Sequence, residues 1–345
     1  MNDMTDAVAY SKESVHQCLC GTAAMTRREV VARDEISGEL FSYHECAGCG
    51  LERIVQRPTL ADIGHYYPQT YYAYSGNVEI SRSAIDRVKR LVYRTFYGSA
   101  EERSGAERIF RPLLALALFP LRFRSVLAFR QPRVRRVFEF GAAIGNDLAE
   151  FRAAGWEVTG CEPSAKACEV ARQRGITLQN CSAEAAVLPV GRFSCVLLNN
   201  VFEHLHNPTA VLRKAHAALT DDGALVLVVP NHASWSARLF GAPWPGYDPP
   251  RHLWGFTPGS IRRLLGQGGF SVDYIHHIAP QRWCYEAVVA GTRSPNGATR
   301  LRLLASDVLP MMMLPFGLLA ATFGHGDFMK VVARKSNATT TPKAR

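Results

Sequence analysis

The chain has 345 residues, 47% of them apolar, and is long enough for one large domain with its own core and a smaller accessory domain. Its first stretch, MNDMTDAVAYSKES, has neither a cationic nor an apolar region, which predicts no secretory signal and a cytoplasmic protein. In such a protein, nine cysteines indicate reduced thiols or metal ligands and argue against a disulfide framework.

The N-terminal part of the chain carries a group of cysteines. Residues 1–15 are predicted to be disordered, and a zinc-ribbon-like module is predicted over residues 16–58. The stretch CAGCGL has the Cys-x-x-Cys-Gly spacing of a zinc knuckle, whereas CLCG is one residue tighter, so His16 or His44 could replace a thiolate. We predict a structural zinc ion, with ordinary reduced cysteines in a small hairpin as the alternative. The predicted metal ligands are Cys18, Cys20, Cys46 and Cys49.

Residues 59–134 are predicted to form an aromatic linker and a basic helical region. Between Ile80 and Arg136 there are 14 Lys and Arg against 4 Asp and Glu, a difference of +10 that equals the formal charge of the whole chain. A solvated basic helix is the favoured interpretation, and peripheral contact with the inner face of an anionic membrane or with nucleic acid is the alternative. The late apolar segment Leu309–Gly324 is too short to span a bilayer and contains Pro315, which predicts a packed helical hairpin. An apolar lid for a lipid-linked acceptor is its alternative role.

The remainder of the chain alternates short apolar runs with helical patterns, which predicts an α/β domain over residues 135–335. The runs RVFEF, EVTGCE, ITLQNC, SCVLLNN, ALVLVVP, FSVDYIHHI and FMKVVARK predict a Rossmann-like, doubly wound and mostly parallel sheet of seven strands. Two stretches rich in Gly, Pro or Trp, 231–257 and 281–324, are predicted insertions of the kind that form lids or bind substrates. Residues 336–345 are predicted to be a flexible tail.

The turn after the first of these strands has the character of a nucleotide-binding loop. A Gly-x-Ala-x-Gly sequence, with Gly141, Ala143 and Gly145, lets the backbone approach a ligand, but it does not match the dinucleotide pattern G-x-G-x-x-G. Glu162 ends the second strand about 20 residues later, where a carboxylate binds ribose hydroxyls. Glu139 precedes the loop, and its negative charge would repel a pyrophosphate but suits a cofactor with an ammonium group.

With these residues in place, Arg135 to Lys335 resembles the class I S-adenosylmethionine-dependent methyltransferases, including those of the ubiquinone pathway. The segments LLNNVFEHLHNPTAVLRKAHAALTDDGALVLVVPN and RHLWGFTPGSIRRLLGQGGF are similar to that family's later motifs, in the same order. Members with an N-terminal zinc ribbon followed by a stretch like YYPQTYYAY often modify sugars, glycans or other small metabolites. The resemblance therefore implies S-adenosylmethionine as the cofactor and methyl transfer as the reaction.

The same resemblance implies the cofactor-binding residues. The first strand and its loop would surround the methionine part, Glu162 would bind the ribose, the next strand end would contact the adenine, and the fourth strand end would flank the sulfur. Two positions depart from the family, because Ser182 stands where many members have an aspartate and Ala143 replaces a common glycine. The implied residues are Glu139, Gly141, Ala143, Gly145, Glu162, Ser182, Ala183, Asn199 and Asn200.

The candidate catalytic residues follow the fourth strand. Glu203 and His204 come just after it, and His204 is either a general base or a structural residue of the loop. His252, in DPPRHLWGFT, is a second candidate base or substrate contact. Relatives in the ubiquinone pathway hold a divalent metal with Glu-x-x-Glu-His on this segment. Since Asn200 stands at the first of those positions, the sequence predicts no catalytic metal held by Glu203 and His204 alone.

The preferred interpretation is a methyltransferase that acts on a small-molecule, sugar or lipid-linked glycan acceptor. One alternative is an RNA methyltransferase that binds nucleic acid through the zinc ribbon and the basic segment, with an affinity that falls steeply with salt. Another is a catalytically silent protein that binds S-adenosylmethionine, for which Ala143, Ser182 and Asn200 are the only support.

Overall fold

The computed structural model describes residues 10–22, 26–67, 91–92, 95–97, 111–116, 125–278 and 315–336. Several predicted segments lie outside these ranges. They include residues 1–9, most of the predicted basic region, residues 281–314 of the late insertion and all but the first residue of the predicted tail. Within the described part of the chain, no helix is long and apolar enough to cross a membrane.

The N-terminal module consists of short antiparallel strands. These are β1 (Lys12–Ser14), β2 (Thr26–Arg33), β3 (Leu40–Cys46), β4 (Glu52–Ile54) and β5 (Gln56–Pro58). Strand β3 pairs with both β2 and β4, and β1 pairs with β5. The predicted disorder of residues 1–15 is therefore wrong for residues 12–14, because the backbone of β1 forms a ladder with β5. A short 3-10 helix, Ile63–Tyr66, follows.

The α/β domain contains a seven-stranded sheet, as predicted. Its strands are β6 (Arg136–Phe140), β7 (Glu157–Cys161), β8 (Leu178–Gln179), β9 (Phe193–Asn199), β10 (Leu219–Pro230), β12 (Phe270–Ile278) and β13 (Phe328–Lys335). Strand β11 (Trp254–Gly255) belongs to the sheet of the N-terminal module. The order is β12-β13-β10-β9-β6-β7-β8. Strands β8, β7, β6, β9 and β10 are parallel, and β13 runs antiparallel to both of its neighbours. The mostly parallel, doubly wound fold is thus confirmed.

Helices lie between the strands of the α/β domain, and their ends follow from local sequence. They are α1 (Asn146–Ala153), α2 (Ala165–Gln173), α3 (Pro208–Ala218), α4 (Trp235–Phe240) and α5 (Pro258–Gln267). Ser164 and Asn207 cap α2 and α3 by accepting hydrogen bonds from backbone amides of the first turn. Thr257 and Ser260 form a reciprocal capping box at the start of α5. A second 3-10 helix, Phe202–His204, follows β9.

The core lies on both faces of the sheet. In β9, Val196 and Leu198 pack into one buried cluster with Phe138 and Phe140, whereas Cys195 and Leu197 pack into the cluster on the opposite face. Strands that are covered on both faces have a continuous apolar sequence, which is why SCVLLNN showed no alternation. Cys195 is a small, fully buried core residue.

The N-terminal module and the α/β domain share a sheet. Strand β11, from the predicted insertion 231–257, pairs antiparallel with β4 and extends the sheet to β11-β4-β3-β2. The buried hydroxyl of Tyr43 donates toward the backbone oxygens of Tyr247 and His252, at 2.9 and 2.8 Å. The insertion therefore serves as the attachment site of the module on the α/β domain.

Candidate active site

The glycine loop lies at the carboxyl end of β6. Gly141 and Gly145 have φ values of +62° and +75°, in the left-handed region that favours glycine. A Cβ atom on Gly141 would come within 2.6 Å of the Val201 side chain, and one on Gly145 within 3.0 Å of Ile176. Both positions therefore require glycine, for conformation and for space. The helix α1 begins directly after Gly145, so its free N-terminal amides face the edge of the sheet.

Ala143 also has a left-handed conformation, with a φ of +45°. A residue with a Cβ atom is strained in this region by roughly 1–2 kcal/mol, which explains why glycine is common at this position in the family that the sequence resembles. The backbone amide of Ala143 donates to Oε2 of Glu162 at 3.0 Å. The strained turn thus places the N–H of Ala143 within hydrogen-bond distance of the Glu162 carboxylate.

Glu162 follows β7 and is held by two backbone amides. Its Oε1 accepts from the amide of Ser164 at 2.9 Å, and its Oε2 accepts from the amide of Ala143. Burial raises its pKa, although these two hydrogen bonds act in the opposite direction. Arg172, on the helix that follows Glu162, pairs with Glu169 on the surface of α2 and leaves Glu162 to the two backbone amides. The carboxylate is therefore positioned by the two loops that border the predicted ribose site.

A second acidic group lies under the loop. Glu139, in β6, is buried, and its Oε2 has no hydrogen-bond partner among the described residues. Burial raises its pKa well above the usual value, and the negative charge of Asp147 raises it further. Asp147, in the first turn of α1, accepts a hydrogen bond of 2.6 Å from Nδ2 of Asn199. The sequence analysis did not single out Asp147, although its position two residues after Gly145 places it in that turn.

The other predicted cofactor residues lie at the same edge of the sheet. Asn200, which follows β9, has a φ of +53° and donates from Nδ2 to Oδ1 of Asn199 at 3.1 Å. Ser182 and Ala183 follow β8, where the Ser182 hydroxyl accepts from the amide of Ala185 at 3.2 Å. The carboxyl ends of parallel strands meet at one edge, which is where open α/β sheets bind ligands.

The candidate catalytic residues lie beside this edge. Glu203 is in the 3-10 helix after β9, its side chain is 1% exposed, and neither carboxylate oxygen has a hydrogen-bond partner among the described residues. Burial raises the pKa of Glu203 to about 8. Burial and the neighbouring His252 lower the pKa of His204 to about 3, so this imidazole is neutral at physiological pH.

The two histidines are held in the same manner. Nδ1 of His204 donates to the backbone oxygen of Arg251 at 2.9 Å, and Nδ1 of His252 donates to that of Gly246 at 2.7 Å. Their rings lie edge to face with centroids 4.7 Å apart. Because Nδ1 carries the proton in each ring, each Nε2 has a free lone pair. The structure therefore brings His252 beside Glu203 and His204, which are neighbours in the chain.

Residues that the sequence analysis did not name support this arrangement. The buried guanidinium of Arg251 pairs with Asp34 of the module at 3.0 Å and with Asp248, and it also donates to the backbone of Tyr66 at 3.0 Å. The hydroxyl of Tyr67 contacts Nδ1 of His204 at 3.0 Å. No local motif marks these residues, because they come from three separate segments of the chain.

The four predicted cysteine ligands form one cluster. Their sulfur atoms all lie within 4.8 Å of one another, with Cys18 and Cys49 at 3.5 Å and Cys20 and Cys46 at 3.8 Å. Four thiolates around a tetrahedral zinc ion at about 2.3 Å would be separated by roughly 3.8 Å. The alternative ligand His44 contacts Thr26 instead. The tight Cys-x-Cys spacing is thus compatible with a four-sulfur site.

Residues 109–275 match a family model described as "Methyltransferase domain". The matched range contains the glycine loop, the acidic residues and all three candidate catalytic residues, and the sheet has the order described above. The match covers just under half of the chain and shows that this part of the α/β domain is similar to a methyltransferase domain, which agrees with the sequence prediction.

Individual relatives cover only part of the molecule. The chain is 30% identical over 168 residues to the uncharacterized protein Rv2003c of Mycobacterium tuberculosis, which is 47% of this chain and 54% of that protein. It thus spans about half the length of this relative. It is 27% identical to the ubiquinone biosynthesis O-methyltransferase of Bordetella avium, over 64% of this chain and 84% of that protein. A methyltransferase structure from Thermotoga maritima, described as a possible histamine N-methyltransferase, aligns over 67% of this chain and 98% of its own, with 17% identity and a TM-score of 0.43.

Proposed function

We propose that this protein transfers a methyl group from S-adenosylmethionine to a hydroxyl group of a small-molecule, sugar or lipid-linked glycan acceptor. The main support for the proposal is the pair of carboxylates, Glu139 and Glu162, at the carboxyl ends of β6 and β7. The carboxylate of Glu162 is held in place by amides of two loops, and the buried carboxylate of Glu139 lacks a partner for its Oε2 among the described residues. Such a site suits a cationic adenosine cofactor better than a pyrophosphate, since buried carboxylates need a positive partner.

Each cofactor residue has a role that its position supports. Glu162 would bind the ribose hydroxyls, and Glu139 would bind the ammonium group of the methionine part. The loop from Gly141 to Gly145 would contact the ligand through its backbone, while Ser182 and Ala183 would border the adenine. Asn199 and Asn200 would flank the sulfur. The bound cofactor supplies an electrophilic methyl group on a sulfonium ion, and the residues of this chain position the acceptor and its proton.

The acceptor would lie next to Glu203, His204 and His252. Each imidazole presents an unprotonated Nε2, so His204 or His252 would be the general base of the reaction. His204 is neutral at physiological pH and its Nε2 can accept a proton, but its low pKa makes it a weaker base than an ordinary imidazole.

We also propose that the cysteine cluster holds a structural zinc ion. Its four sulfur atoms come from the end of β3, the turn after it and the segment after β1. A tetrahedral ion would link these segments and keep the module folded. Since this module carries Asp34, which pairs with Arg251, the zinc ion would support the acceptor site indirectly.

Calorimetric titration with S-adenosylhomocysteine, with NAD as a second ligand, tests the proposed cofactor. We expect binding of S-adenosylhomocysteine to wild type and a loss of at least about tenfold in Glu162→Gln, because the ribose hydrogen bonds and the loop contacts are lost. Glu169→Gln, an exposed glutamate on the nearby helix α2, is the matched control and should bind like wild type. Binding of NAD without binding of S-adenosylhomocysteine would contradict the proposal.

The acceptor class is tested once the cofactor is established. Transfer of a labelled methyl group should appear with hydroxylated small molecules, sugars or lipid-linked glycans. Transfer to RNA with a steep dependence on salt would instead favour the nucleic-acid alternative. Cofactor binding with no transfer to any of these acceptors would favour the catalytically silent alternative.

A further inference from the structure

The contact between the N-terminal module and the α/β domain contains a buried histidine that the proposed reaction does not use. His232 follows β10, and its side chain is 1% exposed. Its Nδ1 lies 3.1 Å from Oε2 of Glu52, in strand β4 of the module. Its Nε2 lies 3.2 Å from the backbone oxygen of Gly246, in the segment between α4 and β11. The ring therefore bridges the module and the segment that carries His252.

Packing holds the ring of His232 in place as well. Gly255, in β11, lies opposite Glu52 in the register of the shared sheet. A Cβ atom on Gly255 would come within 2.3 Å of Nδ1 of His232, so the ring occupies the space that this glycine leaves open. The rings of Trp244 and Tyr247 lie edge to face with the imidazole, with centroids 5.0 and 4.9 Å away. The orientation of both ring nitrogens is thus fixed from several sides.

The partners of the two nitrogens require a proton on each. The oxygen of Gly246 can only accept a hydrogen bond, so Nε2 must donate. Burial raises the pKa of Glu52, but the hydrogen bond from His232 and the charge of Arg28 outweigh burial and bring this pKa below its ordinary value. The carboxylate is therefore ionised and also only accepts, so Nδ1 must donate as well. His232 is thus an imidazolium in a buried ion pair.

Two imidazoles share the backbone oxygen of Gly246. Nδ1 of His252 donates to this oxygen at 2.7 Å, and Nε2 of His232 donates to it from the other side. A carbonyl oxygen has two lone pairs and can accept both hydrogen bonds. Burial lowers the pKa of His252, the carboxylate of Asp248 acts in the opposite direction, and the charge of His232 lowers this pKa further. The shared oxygen thus links the ion pair to a neutral His252.

We propose that His232 and Glu52 are positioning residues for His252. The imidazolium of His232, anchored by Glu52, holds the carbonyl group of Gly246. This carbonyl accepts from Nδ1 of His252, which fixes the ring and leaves Nε2 as its basic atom. The role of His252 as a base rests on the proposed methyl transfer, whereas the chain of hydrogen bonds does not. The N-terminal module thereby acts on the acceptor side through a side chain of β4.

Nitrogen-15 NMR of the histidine side chains in the full-length protein tests the proposal. Long-range proton–nitrogen correlations distinguish a ring with two protonated nitrogens from each of the neutral tautomers. The signals are assigned from their disappearance in His232→Gln and His252→Gln. At pH 7.5 we expect His232 of wild type to be doubly protonated and His252 to be neutral with its proton on Nδ1. A neutral His232, or a His252 protonated on Nε2 alone, would overturn the proposal.

Two substitutions of His232 separate its two hydrogen bonds. The amide nitrogen of Gln reaches the position of Nε2 and can still donate to Gly246, whereas the shorter Asn reaches only the position of Nδ1, beside Glu52. In His232→Gln we expect His252 to keep its proton on Nδ1. In His232→Asn its preference for Nδ1 should fall by at least about fivefold, because the carbonyl has lost one of its two donors. An unchanged His252 in His232→Asn would contradict the positioning role.

The part played by the module is tested with a conservative change in β4. Glu52→Gln removes the negative charge and keeps the shape, so His232 should lose its second proton at pH 7.5. Glu29→Gln, an exposed glutamate of the neighbouring strand β2, is the matched control and should leave the signals of His232 and His252 unchanged. A doubly protonated His232 in Glu52→Gln would show that Glu52 does not anchor the ring.

Two further measurements on the same samples keep the outcomes distinct. Urea denaturation shows that each variant is folded, and the spectrum of wild type tests the proposal even where a variant is not. Titration with S-adenosylhomocysteine tests the proposed function alone. Absence of binding with a doubly protonated His232 would contradict the proposed function and leave the positioning chain intact. Binding with a neutral His232 would do the reverse.

Discussion

The cofactor side and the acceptor side of the site are built in different ways. The cofactor side uses the carboxyl ends of β6 and β7, with Glu139, the glycine loop and Glu162 within one short stretch of chain. The acceptor side combines the 3-10 helix after β9, the segment before β11 and the N-terminal module. Local turns and backbone amides position the first side, whereas buried contacts between distant segments position the second. The cofactor side can thus be recognised from a motif, and the acceptor side cannot.

The largest expected effect concerns the link between the module and the acceptor side. Arg251→Met would leave Asp34 buried without its ion-pair partner, so we expect a loss of about 3–5 kcal/mol in the free energy of unfolding. Urea denaturation measures this change. Arg172→Met is the matched control, since it breaks an exposed pair with Glu169 and should leave the free energy of unfolding close to that of wild type. Equal losses in the two variants would show that the module is not coupled to the acceptor side through Arg251.

A buried lysine in the sheet, away from both sides of the site, should make the free energy of unfolding depend on pH. Burial lowers the pKa of Lys330, in β13, to about 7, while its pKa in the unfolded chain is near 10.5. Between these values the unfolded state binds more protons, so the stability of wild type should rise with pH by up to about 1.4 kcal/mol per pH unit. Lys330→Met should flatten this rise. Urea denaturation at pH 7 to 10 measures this rise. If the free energy of unfolding rose equally with pH in wild type and in Lys330→Met, the lowered pKa of Lys330 would be contradicted.

Proton release tests the acidic character of the cofactor side. Burial and then the charge of Asp147 raise the pKa of Glu139 in the free protein, whereas an ammonium group would favour its ionised form. Above pH 4.5 and below the raised pKa, binding of S-adenosylhomocysteine should therefore release close to one proton, and the affinity should rise with pH by up to about tenfold per unit. Calorimetry in buffers of different ionisation enthalpy measures the protons. Glu139→Gln should abolish the release, and an equal release in that variant would assign it to another group.

The smallest expected effect concerns the strained turn of the cofactor side. Ala143→Gly should raise the free energy of unfolding by about 1 kcal/mol, because glycine adopts a φ of +45° without the Cβ strain of alanine. Thermal denaturation measures the gain. Ala149→Gly, in the middle of α1, is the opposite control and should lose roughly 1 kcal/mol. A loss of stability in Ala143→Gly would mean that alanine is not strained at this position.

Much of the architecture was predictable from sequence patterns. The seven strands and the helices between them follow from apolar runs and capping residues, and the structure confirms the mostly parallel sheet. Strand β1 was not predictable, since Lys12–Ser14 is short, exposed and polar, and its contacts with β5, Glu39 and Phe41 come from distant parts of the module. The insertion 231–257 was predicted as a substrate element, but no local signal indicated that β11 would join the sheet of the module.

The sequence by itself determined the class of fold, the glycine loop and the two carboxylates of the cofactor side. These features are local, because a strand, its turn and the next helix are neighbours in the chain and their glycines and carboxylates have fixed spacings. Only the tertiary structure decided that His252 lies beside His204, that Arg251 reaches Asp34, and that a carboxylate oxygen of Glu203 lies close to both imidazoles. Such contacts join segments far apart in the chain, and they depend on how whole elements pack, which has no periodic signature in the sequence.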